Sequence, residues 1–87
     1  VVIVASPADG ATVSATVAIK AGVSTGVSLT KMYFYVDGSL RAADTKAPYS
    51  YNWNSKVVAN GSHTILIKGF DSLGNIYQSS IAVTVKN

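Results

Sequence analysis

A period of two runs through nearly the whole chain, and it leaves few folds open. From Thr16 to Val23, Val17, Ile19, Ala21 and Val23 fall on one side and Thr16, Ala18 and Lys20 on the other. From Lys31 to Val36, Met32, Phe34 and Val36 share one face, and Tyr33 and Tyr35 the other. Alternation of this kind is the mark of half-buried strands. No stretch keeps the i, i+3, i+4, i+7 apolar spacing over a helical length, so the sequence predicts no helix longer than one turn.

Turn chemistry divides the alternation into pieces. Gly, Asp, Asn, Pro and Ser clusters recur at intervals of about 8–12 residues, as in all-β sandwiches. The first strand, Val1 to Ala5, stops at Ser6-Pro7-Ala8-Asp9-Gly10, where proline removes a donor and Asp-Gly suits a tight turn. Thr12-Val13 resumes edge pairing briefly. Thr16 to Val23 follows, then a loop over Ser24 to Ser28 and the strand Lys31 to Val36. Asp37-Gly38 is a hairpin signal leading into Ser39 to Ala43. Beyond Asp44-Thr45-Lys46-Ala47-Pro48 comes Tyr49 to Asn54, with Tyr49, Tyr51 and Trp53 on one face. Asn60-Gly61 precedes Ser62 to Phe70, in which Ile65 and Ile67 align with Gly69. Asp71-Ser72-Leu73-Gly74-Asn75 turns into Ile76 to Lys86, whose Ile81, Val83 and Val85 close the core. These are about seven antiparallel strands, expected in two sheets packed over one core.

Composition decides the class. Residues 1–87 suffice for one small domain, and 48% hydrophobic against 13% charged residues argues against disorder. Cysteine is absent, which removes disulfides, thiolate catalysis and Cys-based zinc sites together. The opening Val1-Val2-Ile3-Val4-Ala5 is too short for a signal-peptide core, and no apolar run approaches a membrane helix. The chain therefore reads as a module cut from a longer protein.

The order of motifs resembles one family. Ser6-Pro-Ala-Asp-Gly10, Phe34-Tyr-Val-Asp-Gly38, Ala47-Pro-Tyr-Ser-Tyr51 with Trp53, Ala59-Asn-Gly-Ser-His-Thr64 and Asp71-Ser-Leu-Gly-Asn75 look like the bacterial Ig-like modules of secreted and cell-surface proteins. The resemblance runs from Ile3 to Val85. It implies an immunoglobulin-like β-sandwich, an extracellular setting, and neighbours such as catalytic or carbohydrate-binding domains. Two positions depart from the pattern: Tyr33, where a charged residue is common, and Gly69, where Ala is usual. Such sandwiches host many functions, so a role must be argued from a site.

The inventory narrows that role. There is one His, no Glu, and Asp only at 9, 37, 44 and 71. Ser62 adjoins His63 but points to the opposite face, so a Ser–His–Asp arrangement lacks its nucleophile. Asp9, Asp37 and Asp71 sit in turn motifs, where their carboxylates are expected to bond local backbone N–H groups. His63 is expected to pack near Trp53 or a turn. The chain is read as no enzyme, with no cofactor. One His makes no zinc site. Asp71 to Asn75 lacks the spacing of a calcium loop, although a weak calcium site at a module junction stays open. Lys20, Lys31, Arg41, Lys46, Lys56, Lys68 and Lys86 are scattered, which argues against nucleic acid. Lys20 or Lys86 on an edge would discourage sheet-to-sheet aggregation. Asn60-Gly61-Ser62 matches a glycosylation acceptor but reads as a turn.

The aromatics carry the sharpest expectation. Phe34, Tyr49, Tyr51 and Trp53 are assigned to the core. Tyr33 and Tyr35 are left on an outer surface beside Leu66 and Lys68 if their strands pair. Phe70 joins them unless Gly69 marks a bulge that reverses it. Such a patch suits a partner contact or stacking on sugar rings. The leading expectation is a monomeric, non-catalytic spacer of roughly 35–40 Å, with its termini at opposite poles and adjacent domains of the same chain as partners. The alternatives are a carbohydrate-binding module acting on polysaccharide and an adhesin repeat binding a protein.

Overall fold

A computed structural model describes residues 2–23, 29–46 and 49–87. The expected Ser24 to Ser28 loop and the Ala47-Pro48 pair lie outside them. Alternation becomes strand wherever the turn residues permit: β1 (Val2–Ser6), β2 (Thr12–Val13), β3 (Thr16–Val23), β4 (Leu29–Val36), β5 (Ser39–Asp44), β6 (Ser50–Asn54), β7 (Gly61–Asp71) and β8 (Ile76–Val85). One sheet has the order β1-β3-β6, the other β2-β8-β7-β4-β5. The architecture is the immunoglobulin-like sandwich expected.

The described residues hold the seven expected strands with Thr12–Val13 as a short eighth, and one detail corrects the sequence reading: β2 pairs parallel with β8. The cause lies in the Pro7 to Gly10 break. There the chain leaves the three-stranded sheet and crosses to the other, where it runs beside β8 as Gly10, Thr84 and Lys86 donate backbone hydrogen bonds across the seam. The two residues of β2 thereby cover an edge that would otherwise be open to another chain. Among the described residues the helical structure is one 3-10 turn at Ser55–Val57, within the single turn expected, capped by the Asn54 side chain accepting from Lys56 N–H.

The core is filled from both inner faces. Met32, Phe34, Val36, Ile65, Ile67, Val83 and Val85 come from the five-stranded sheet. Val2, Val17, Ile19, Tyr49 and Trp53 pack against them. Among the described residues Trp53 is the largest side chain in full burial, and its indole N–H has no hydrogen-bond partner there. Tyr51 and Ile81, expected inside, are only half-buried at the margin, Tyr51 with its ring centre 6.0 Å from that of Phe34. The Tyr49 hydroxyl reaches the core wall by donating to the Leu29 carbonyl.

The molecule measures 40 × 19 × 19 Å. Val2 packs beside Gly69, whereas Val85 pairs with Gly61 at the other end of the same strand. At about 3.3 Å per residue, those points are about 26 Å apart.

Candidate functional site

The outer face of the five-stranded sheet carries the most unusual side chains. β4 and β7 pair antiparallel, with Tyr33 opposite Lys68, Tyr35 opposite Leu66 and Lys31 opposite Phe70. The expected neighbours therefore do meet. The irregularity suspected at Gly69 falls instead in β4, between Leu29 and Lys31. Thr30 is the extra residue, exposed, its hydroxyl donating to the Phe70 carbonyl. This bulge reverses the alternation of β4, so Leu29 turns inward while Lys31 stays outside. Leu29 then fills the space over Gly69, where a β-carbon would lie 2.8 Å from Leu29 Cδ1. A β-carbon there would require the Leu29 side chain to shift, and Phe70 remains outside with the tyrosines.

The rings form a tilted cluster. Tyr33 and Phe70 have centroids 5.0 Å apart at 60°, and Tyr33 and Tyr35 are 6.4 Å apart at 61°. Lys31 Nζ lies 5.0 Å from the Tyr33 centroid and 4.9 Å from that of Phe70, straddling both rings. Lys68 Nζ lies 5.2 Å from the Tyr35 centroid. These are cation–π distances. Leu66 and the three rings are half-buried, as are both lysines. Lys31, one of the scattered basic residues of the sequence, belongs to the site. Its parity with Tyr33 and Tyr35 was the available signal.

The candidate catalytic residues resolve into structural ones. Asp37, at the β4–β5 turn, was expected to bond locally. It instead accepts from Thr64 N–H at 3.0 Å and pairs with His63 Nδ1 at 2.5 Å. His63 Nε2 faces the Ala59 carbonyl at 2.7 Å, and its ring lies edge-on to Trp53. Carboxylate and carbonyl oxygens only accept, so both nitrogens donate when the ring is charged. Hydrogen bonding to Asp37, then to Ala59, raises the His63 pKa above its usual 6.5. Burial pushes Asp37 upward, but the bonds from His63 and Thr64 outweigh it and hold its pKa below 3.8. The ring nitrogen that would serve a nucleophile is committed to backbone, and Ser62 faces away on the exposed side.

Asp9 also departs from the local expectation, accepting from Ala82 N–H at 2.9 Å across the seam. Asp71 behaves as a turn residue should. It takes hydrogen bonds from Leu73 and Asn75 N–H, the Asn75 amide and the Tyr77 hydroxyl, and these lower its pKa, Asn75 foremost. Among the described residues no three or more His, Cys, Asp or Glu side chains gather as a metal would require.

One further cluster had no sequence signal. Asn87 donates its backbone N–H to Asn60 Oδ1 and accepts from the Asn60 amide at its carbonyl. Its side chain accepts from Ala15 N–H at 2.6 Å and donates to the Ser55 carbonyl at 3.2 Å. Ser55, buried, donates its hydroxyl to the Ala15 carbonyl at 2.7 Å.

Comparison with known proteins follows the same architecture. The family model described as "Bacterial Ig domain" matches residues 1–67. The fibronectin(III)-like modules of Clostridium thermocellum CbhA superpose with a TM-score of 0.85 at 28% identity, over 99% of this chain and 96% of that one. The endo-β-1,4-mannanase of Thermotoga petrophila contains the same fold, with a TM-score of 0.82 at 20% identity, over 99% of this chain and 19% of the enzyme. A lytic polysaccharide monooxygenase from Jonesia denitrificans aligns at 0.69 and 18% identity, over 92% of this chain and 60% of that one. No curated relative matches the chain.

Proposed function

This chain belongs to the bacterial Ig domain family, and we propose that it serves as a non-catalytic spacer holding neighbouring domains of a secreted or surface-attached protein apart. The observation that carries the reading is the 40 Å rod with Val2 and Asn87 at opposite poles. A chain entering near one end and leaving near the other holds whatever adjoins it apart along the rod. The Asn87 network supports this role, because it fixes the direction of the final strand at its pole. The presence of this fold as 19% of a mannanase chain supports a setting among carbohydrate-active domains. In that setting the module acts outside the cell and does no chemistry itself.

Solution scattering tests the proposal. Two copies joined end to end should give a maximum dimension close to 2 × 40 Å, with little variation between salt conditions. A maximum dimension near that of one copy, showing the two folded side by side, overturns it.

A further inference from the structure

The lysines of the outer face sit on rings rather than on carboxylates. Among the described residues neither Lys31 nor Lys68 forms a salt bridge. The four acids are engaged elsewhere, Asp9 on Ala82, Asp37 on His63 and Thr64, Asp44 on Lys46 and Ser50, and Asp71 in its own turn. The stripe is thus aromatic and positive, with no compensating charge. An ammonium group lies over each of the three rings. A ligand of the stripe must engage the ammonium groups, and an ammonium over a ring keeps N–H donors for an anionic oxygen.

We infer that Lys31, Tyr33, Tyr35, Lys68 and Phe70, extended by Leu66, bind an acidic polysaccharide whose sugar rings carry carboxylates. Charge complementarity selects the anion, and the form of the face selects the polymer. β4 and β7 are interior strands with both ladders filled. A peptide that docks by adding a strand needs an open edge, and this face provides none. Nucleic acid needs a longer run of phosphate contacts than two lysines supply. A polyuronate instead repeats a carboxylate beside each ring with apolar C–H faces and hydroxyls between. On this face β4 sets Lys31, Tyr33 and Tyr35 along about 13 Å, with Phe70 and Lys68 of β7 standing opposite Lys31 and Tyr33.

Affinity electrophoresis of the 87-residue chain tests this, with polygalacturonate, cellulose, polyglutamate or oligothymidylate in the gel. Polygalacturonate alone should retard the native chain, and retardation should fade as salt shortens the screening length to about 3 Å at 1 M. Lys31→Gln/Lys68→Gln should weaken it by about tenfold or more, and Lys31→Arg/Lys68→Arg should largely retain it. Unchanged Trp53 emission in each variant shows that the fold is intact. No retardation by polygalacturonate, equal retardation of the Gln variant, or equal retardation by cellulose overturns the inference. So does equal or stronger retardation by polyglutamate or oligothymidylate. The spacer reading, measured by scattering, stands or falls separately.

Discussion

His63 shows how one residue can be structural and still carry a measurable signature. Its native pKa is raised, so its contribution to stability is complete below 6.5 and is lost as pH rises through the raised value. Asp37 has a lowered native pKa, so its contribution is complete above 3.8 and is lost as pH falls through the lowered value. The pair therefore stabilises most between 3.8 and 6.5. Melting temperature is expected to drop as pH rises above 6.5 through the raised His63 value, and Asp37→Asn should flatten that slope. Asn tolerates the positive φ of 51° at this position, so the turn survives the change. At this scale the sequence was partly legible. Parity alone placed Tyr33 and Tyr35 outside and Met32, Phe34 and Val36 inside. The reach of Asp37 over 26 residues and of Asp9 over 73 was not legible, because a turn Asp has a local partner on offer whatever the fold does.

Among the elements, the β4–β5 hairpin was the clearest from sequence. Asp37-Gly38 signals it, and both residues have positive φ, 51° and 82°, as a two-residue turn matching strand twist requires. A β-carbon on Gly38 would touch nothing within 4 Å. Gly38→Ala is therefore a test of backbone conformation alone. It should cost about 1 kcal/mol by urea denaturation, with no change in the slope of the transition. The bulge in β4 could not be read in the same way. Thr30 looks like any strand residue, and only the need to seat Leu29 over Gly69 makes it the extra one.

For the molecule as a whole, rigidity has to come from packing and polar closure, since no cysteine is present to staple it. The inner faces supply the first and the Asn87 network the second. Asn87 ties Ala15, Ser55 and Asn60 together, three segments far apart in sequence. Asn87→Ala should lower stability by about 1–2 kcal/mol. It should also accelerate amide exchange at Ala15, measured by NMR, while leaving β4 and β7 protected. Uniform loss of protection would instead show that the pole has no local role.

The sequence by itself determined the period, the turn positions, the missing chemistry and the two faces of each strand. These depend on neighbours within a few residues, where side-chain parity and backbone preference act directly. Tertiary structure alone decided the crossing of β2 to the second sheet, the bulge that turns Leu29 inward and the Asn87 closure. It also brought Lys31 and Lys68 onto the aromatic faces. Those outcomes rest on cross-strand register and on contacts between distant segments, which are fixed only once the two sheets have packed.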